Sequence, residues 1–147
     1  MKLVIIDDEP AALAALRGMI ERRANGAQVV GEARNALEGI KLIQRERPDL
    51  VLLDIEMPHG SGFDLLEAFP ERTFHVIYTT AHEEHAVRAA HTHPFDYLLK
   101  PVDPDELNEA LDQLAARGTT AARERIEIST SQGKVFIPVE EIVRIEA

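Results

Sequence analysis

The stretch LVLLDIEMPHG, residues 50–60, is the part of the chain that best indicates its fold. It begins with four consecutive apolar residues and ends in a loop that contains proline and glycine, with Asp54 at the boundary. A short continuous apolar run bounded by turn residues is typical of a strand buried on both faces, as in a parallel sheet covered by helices. The stretch therefore predicts a buried strand that ends at Asp54.

Four further apolar runs resemble this one, at residues 3–6, 29–30, 76–78 and 97–99, and none alternates strictly with polar residues. The segments between and after the runs carry apolar residues at helical spacing, at 13–20, 37–43, 63–69, 83–90 and 107–114. Five strands that alternate with five helices predict an α/β fold with a doubly wound parallel sheet.

The sequence changes character after residue 116. Residues 117–123, RGTTAAR, are small and polar, which is typical of a linker. In residues 124–147 Ile126 and Ile128 alternate with polar residues, and a Gln-Gly turn follows, so this part predicts a short antiparallel β fragment. We therefore predict a domain over residues 1–116, a linker over 117–123 and a C-terminal fragment over 124–147.

The composition argues against two classes of protein, chains that bind DNA by themselves and membrane proteins. The chain has 147 residues, no cysteine, 16 basic and 26 acidic side chains, and a formal net charge of −10. Such a charge argues against a chain that grips DNA by itself, because phosphate binding needs clustered Lys and Arg. No run approaches the roughly 18 apolar residues of a membrane helix, and no basic-then-apolar leader precedes Leu3. We expect a cytoplasmic protein without a membrane partner.

Polar side chains follow four of the predicted strands: Asp7 and Asp8, Asp54, Thr80 and Lys100. In an open α/β sheet the ligand binds outside the carboxyl ends of the strands, so we expect these side chains to converge. Neighbouring carboxylates repel one another unless a cation neutralises them, and Mg²⁺ is the cation that fits oxygen ligands and substrate phosphate. The pattern predicts a Mg²⁺ site.

This arrangement also suggests phosphoryl chemistry. A carboxylate beside Mg²⁺ and a fixed ammonium can attack phosphorus and form an acyl phosphate. Asp54 is the best nucleophile because a rigid strand holds it and the loop after it leaves space. We expect Lys100 and Thr80 to bind phosphoryl oxygens. A single Asp after a strand is more often a loop carboxylate or a helix cap, but five such residues favour a site.

Residues 1 to about 116 resemble the receiver domain of two-component response regulators. The motifs that carry the resemblance are IIDDEP at 5–10, LLDIEMP at 52–58, Thr80-Ala81 and DYLLKPV at 96–102. The resemblance implies a flavodoxin-like sheet with strand order 2-1-3-4-5. It also implies that Asp54 accepts a phosphoryl group from a sensor histidine kinase.

The resemblance assigns roles to the residues around Asp54. It implies that Asp8, Asp54 and the backbone carbonyl of Glu56 ligate Mg²⁺ directly and that Asp7 acts mostly through water. Lys100 contacts the phosphate, usually with a cis peptide bond to the following proline.

The resemblance also implies a conformational switch formed by Thr80 and Tyr97. The surface of the fourth helix, the fifth strand and the fifth helix would read out the switch. A homodimer through this surface is plausible.

The DYLLKP ending and the TAHEEHA run at 80–86 resemble the subset of regulators with a LytTR-type DNA-binding domain, and residues 124–147 resemble the first strands of that domain. The remainder of such a domain would be missing, so DNA contact is expected only through that remainder. The preferred interpretation is a switch in transcription, not an enzyme. A stand-alone receiver that signals through protein contacts, and an aspartyl-phosphate phosphohydrolase, remain alternatives.

Four histidines at positions 82, 85, 91 and 93 depart from the subset, which often has aromatic residues at the first two. His82 and His85 could share a helix face and bind zinc, but no cysteine supports such a site, and a solvated titratable surface is the simpler expectation. The resemblance implies that Glu56 and His82 tune the lifetime of the phosphate.

Overall fold

The computed structural model describes residues 1–23 and 26–117, together with the backbones of residues 125–130 and 133–138. The chain divides into two compact units, Met1–Val76 and Ile77–Ala147.

The first unit contains three parallel strands and three helices. The strands are β1 (Lys2–Ile6), β2 (Gln28–Ala33) and β3 (Leu50–Asp54), and the helices are α1 (Pro10–Glu21), α2 (Ala36–Glu46) and α3 (Gly62–Glu67). Strand β1 pairs with β2 on one side and with β3 on the other. All five residues of β3 are buried, as the apolar run predicts.

Local sequence explains where these helices begin. The Asn35 side chain accepts a hydrogen bond from the Glu38 backbone N–H at 2.8 Å, so Asn35 is the N-cap of α2. In α3 a reciprocal pair of bonds between Ser61 and Asp64 forms a capping box. Helix α3 ends at Glu67, before the predicted end of its periodic segment at position 69.

The second unit contains further parallel strands and helices. Its elements are β4 (His75–Thr80), which begins just before the boundary, a 3₁₀ turn (Glu83–His85), α4 (Ala86–Ala90), β5 (Asp96–Leu99) and α5 (Pro104–Arg117). Strands β4 and β5 pair in parallel. At the start of α5 the Asp103 carboxylate accepts a bond from the backbone N–H of Asp105, and Pro104 is the first helical residue, a position where proline is favoured.

The five parallel strands follow the order β2-β1-β3-β4-β5, which confirms the predicted flavodoxin-like class. Beyond α5, the backbone of β6 (Arg125–Thr130) pairs in parallel with β5, and β7 (Gly133–Pro138) pairs antiparallel with β6. The predicted linker from residue 118 on, and residues 124, 131–132 and 139–147 of the predicted fragment, lie outside the described residues. None of the described helices is long and apolar enough to cross a bilayer.

Candidate functional site

Four acidic residues form a cluster at the carboxyl ends of β1 and β3. Asp7, Asp8, Glu9 and Asp54 each offer a carboxylate oxygen, and these oxygens all lie within 4.8 Å of one another. Asp7 and Asp54 are 0% and 4% exposed, respectively, Asp8 is half-buried, and Glu9 is exposed. The structure thus brings together the three carboxylates that the sequence predicts, Asp7, Asp8 and Asp54, and adds Glu9 to them.

The end of β1 is fixed by the chain itself. The Asp7 backbone N–H donates to the Ala33 carbonyl at 3.0 Å, which holds this end of β1 against the end of β2. One oxygen of the Asp7 carboxylate accepts a bond from the Glu9 backbone N–H at 2.9 Å. This local turn directs the chain from β1 into α1 and keeps the acidic residues at the end of the strand.

The loop after β3 holds Asp54 through a close backbone approach. The Gly62 N–H donates to the Ile55 carbonyl at 2.9 Å. A Cβ on Gly62 would lie 2.5 Å from the backbone oxygen of Asp54, a distance that real Cβ atoms essentially never show. Only glycine fits this position without a shift of the backbone.

The donor set of the cluster suits a hard divalent cation. All four side chains offer carboxylate oxygens, the ligand type that Mg²⁺ prefers. Negatively charged carboxylates this close repel one another, and a bound cation would offset the repulsion. Glu56, whose backbone carbonyl is the further predicted ligand, follows two residues after Asp54 and has an exposed side chain.

Thr80 and Lys100 lie at the carboxyl ends of the adjacent strands β4 and β5. The Lys100 backbone N–H donates to the Thr80 carbonyl at 2.7 Å, so the two residues are neighbours. Thr80 is fully buried, and its hydroxyl oxygen accepts a bond from the His82 backbone N–H at 3.3 Å. Lys100 is half-buried, and its peptide bond to Pro101 is cis, as the resemblance implies.

Tyr97 is fully buried, and its hydroxyl donates to the backbone carbonyl of His82. The ring lies 6.1 Å from that of Tyr78, centroid to centroid. Tyr97 and Thr80 therefore both bond to the backbone of His82, in the segment between β4 and α4. Sequence alone places Tyr97 on the last parallel strand but gives no sign of this shared partner.

The histidine side chains at positions 82 and 85 lie next to each other. The rings of His82 and His85 meet edge to face with centroids 5.9 Å apart, and Nδ1 of His82 lies 3.0 Å from a carboxylate oxygen of Glu84. Among the described residues, the one group of three or more metal-ligating side chains is the acidic cluster.

The sequence analysis does not predict two features of the site. Glu9 appears in the IIDDEP motif, but only the turn after β1 shows that its carboxylate joins the cluster. The approach of Gly62 to Asp54 joins residues eight positions apart, and the only signal for it is a second glycine after Gly60.

Comparisons with known proteins show the family of this chain. Residues 3–112 match the response regulator receiver domain family. The chain is 42% identical over 116 residues to an uncharacterized response regulatory protein of Yersinia pestis, and 40% identical over 115 residues to the transcriptional regulatory protein BtsR of Escherichia coli. Each alignment covers 78% of this chain and 48% of the relative, so the chain spans about half the length of these relatives.

Solved structures show the same fold. The receiver domain of AraT, a response regulator from Geobacillus stearothermophilus, matches with a TM-score of 0.71 and 31% identity over 80% of this chain and 98% of that chain. The response regulatory domain of protein mrkE from Klebsiella pneumoniae matches with a TM-score of 0.72 and 30% identity over 79% of this chain and 96% of that chain.

Proposed function

This chain belongs to the response regulator receiver family, and from that premise we propose that it is the phosphoacceptor of a two-component phosphorelay. Asp54 is the proposed acceptor and a sensor histidine kinase the proposed donor. The observation that carries the proposal is the acidic cluster, in which a buried carboxylate at the end of β3 lies with three other carboxylates within 4.8 Å. A nucleophile held by a rigid strand needs little reorganisation before it attacks.

Mg²⁺ is the proposed cofactor, held by Asp8, Asp54 and the backbone carbonyl of Glu56 directly and by Asp7 through water. The all-oxygen donor set supports this assignment. When bound, the ion would offset the negative charge of the phosphoryl oxygens during transfer. Attraction between the ion and these carboxylates would favour binding, and the bound charge would offset the repulsion among them.

In the proposed transfer a carboxylate oxygen of Asp54 bonds to phosphorus while the bond between phosphorus and the donor atom breaks. The electrons of that bond leave with the donor, and Asp54 becomes an acyl phosphate. Lys100 and Thr80 are the proposed ligands of the phosphoryl oxygens, by their match to the family motifs. Their position at the ends of adjacent parallel strands, joined by a 2.7 Å backbone hydrogen bond, supports a joint role.

Thr80 and Tyr97 are the proposed switch. The hydroxyl of each bonds to the backbone of His82, one as acceptor and one as donor. If the Thr80 hydroxyl turned toward a phosphoryl oxygen, its hydrogen bond from the His82 N–H would break. The backbone of His82, whose carbonyl accepts the bond from Tyr97, would then be held less firmly. A phosphoryl group that favours the released arrangement would shift the population toward it.

The proposed output is control of transcription through a LytTR-type domain, in the cytoplasm, without enzymatic turnover. The relative named a transcriptional regulatory protein and the half-length coverage support a further output region. DNA contact would come from that region, because this chain carries a net charge of −10. The surface of α4, β5 and α5 is the proposed site of homodimerisation, and Val87 on α4, 68% exposed, offers it an apolar side chain.

Incubation with acetyl phosphate tests this function. The chain, with MgCl₂ or with EDTA, is followed by intact-protein mass spectrometry and by an assay of released phosphate. We expect one added phosphoryl group that depends on Mg²⁺ and is lost slowly. Continuous release of many phosphates per chain would instead favour the phosphohydrolase alternative, and no added mass with Mg²⁺ would contradict the proposal.

A further inference from the structure

An arginine lies at the edge of the acidic cluster. Arg34 directly follows β2, and its Nη2 lies 3.5 Å from the backbone carbonyl oxygen of Asp8, a member of the cluster. Its side chain is exposed. The guanidinium thus places a positive charge at the backbone of one member of the cluster, Asp8, while remaining accessible to a molecule that approaches from solvent.

The negative charge of the cluster repels an anionic phosphoryl donor, and the positive charge of Arg34 can reduce this repulsion. Four carboxylates carry a formal charge of −4, and one divalent cation leaves −2. A phosphoryl donor is itself an anion, so it meets net repulsion as it approaches Asp54. Guanidinium keeps its charge at every physiological pH, and its planar set of N–H donors matches phosphate oxygens.

Arg34 is not required to hold the end of β2 in place. The Asp7 N–H bonds to the Ala33 carbonyl at 3.0 Å, and the Asn35 side chain caps α2 at 2.8 Å. These two bonds fix the residues on either side of Arg34. Its side chain is therefore available for a role outside the fold.

We propose that Arg34 steers the anionic phosphoryl donor to Asp54 by offsetting the charge of the acidic cluster. The proposal rests on the proposed function and adds a donor-binding residue to it. The proposed role predicts opposite changes in donor binding and in Mg²⁺ binding. The same positive charge that attracts the anionic donor repels the cation, so removal of Arg34 weakens donor binding and strengthens Mg²⁺ binding.

The test compares Arg34→Gln and Arg34→Lys with a matched control, Arg45→Gln. Arg45 lies in the last turn of α2, is exposed, and pairs with Glu46. Nine residues of helix place it about 14 Å from the start of α2, beyond the Debye length of about 8 Å at physiological salt. Loss of the Arg45 charge changes the net charge equally but not the charge at the cluster.

Two measurements are made on each protein. Cation binding is measured without donor, by titration of the Mn²⁺ electron paramagnetic resonance signal and competition with Mg²⁺. Phosphorylation is measured by mass spectrometry over a range of acetyl phosphate concentrations at saturating Mg²⁺.

For Arg34→Gln we expect Mg²⁺ to bind about two- to fivefold more tightly and the half-saturating donor concentration to rise about three- to tenfold. Both differences from the parent chain should be smaller at high salt, which screens the charge of Arg34. Arg34→Lys should stay within about twofold of the parent on both measures. A merely structural role would weaken both, and that result would overturn the proposal. An effect equal to that of Arg45→Gln would also overturn it. A parent chain that takes no phosphoryl group would overturn the proposed function together with this inference, whereas a phosphorylated parent with an unchanged Arg34→Gln variant overturns the role of Arg34 alone.

Discussion

The contact between Gly62 and Asp54 predicts that a single methyl group added 8 positions from the proposed nucleophile will impair it. In Gly62→Ala the new Cβ would lie 2.5 Å from the Asp54 carbonyl oxygen, whereas real Cβ atoms stay at 3.0 Å or more. The backbone must therefore move by at least about 0.5 Å. Neither backbone can yield easily, because β3 is buried throughout and the capping box fixes the start of α3.

Two magnitudes follow from that displacement. Overpacking of this kind costs about 1–3 kcal/mol of unfolding free energy. A displacement of about 1 Å at a reacting group can slow a reaction by about 100-fold. A displacement of about 0.5 Å, which costs about half as much activation free energy, should therefore slow phosphorylation of Asp54 by about tenfold. The control is Gly18→Ala within α1, where the nearest atom to the new Cβ is the tip of the Arg22 side chain at 3.3 Å. We expect that variant to gain about 0.5–1 kcal/mol from helix propensity.

The assay pairs stability with chemistry. Urea unfolding followed by circular dichroism gives the change in free energy, and mass spectrometry gives the rate of phosphorylation by acetyl phosphate below the unfolding transition. Normal stability and a normal rate in Gly62→Ala would refute the argument that the loop after β3 positions Asp54. Loss of stability with an unchanged rate would limit the contact to a structural role.

Three further predictions concern single side chains. Thr79→Val should raise the unfolding free energy by about 1 kcal/mol, because the buried Thr79 hydroxyl has no hydrogen-bond partner among the described residues. Thr80→Val should lower the unfolding free energy, since the Thr80 hydroxyl accepts a bond from a backbone N–H. Urea midpoints that shift in the same direction in the two variants would contradict this. In a Mg²⁺ titration Asp8→Ala should weaken binding more than Asp7→Ala, and equal losses would refute the ranking of the two ligands. Tyr97→Phe should still accept phosphate but lose its bond to the segment after β4, so phosphorylation-dependent self-association should change; a response equal to that of the parent would exclude Tyr97 from the switch.

The strands were predictable because their signals are local. Buried parallel strands require apolar residues on both faces, so β1 and β3 appear in the sequence as unbroken apolar runs, and the structure leaves residues 3–6 and 50–53 with 0% exposure. The Asn35 cap was predictable for the same reason, because its partner lies only three residues away. Asp7, Asp8 and Asp54 converge because parallel strands end at the same edge.

Other contacts depend on tertiary structure and leave no local signal. The bond between the Tyr97 hydroxyl and the His82 carbonyl joins positions 15 apart, and the apolar period gives no information about a backbone acceptor. The predicted third helix ran to Phe69, but the helix ends at Glu67 and the Phe69 ring instead packs edge to face on Phe74 at 5.3 Å. An aromatic residue at helical spacing can serve a loop contact equally well.

The phosphoryl acceptor is the central claim, and one measurement addresses it directly. The measurement compares three proteins: the parent chain, Asp54→Asn and the control Asp105→Asn. The control removes an exposed carboxylate in the first turn of α5. Each protein is incubated with acetyl phosphate and Mg²⁺, and its mass is measured by intact-protein mass spectrometry. The account predicts that the parent and Asp105→Asn each gain one phosphoryl group while Asp54→Asn gains none. A phosphorylated Asp54→Asn protein would contradict it.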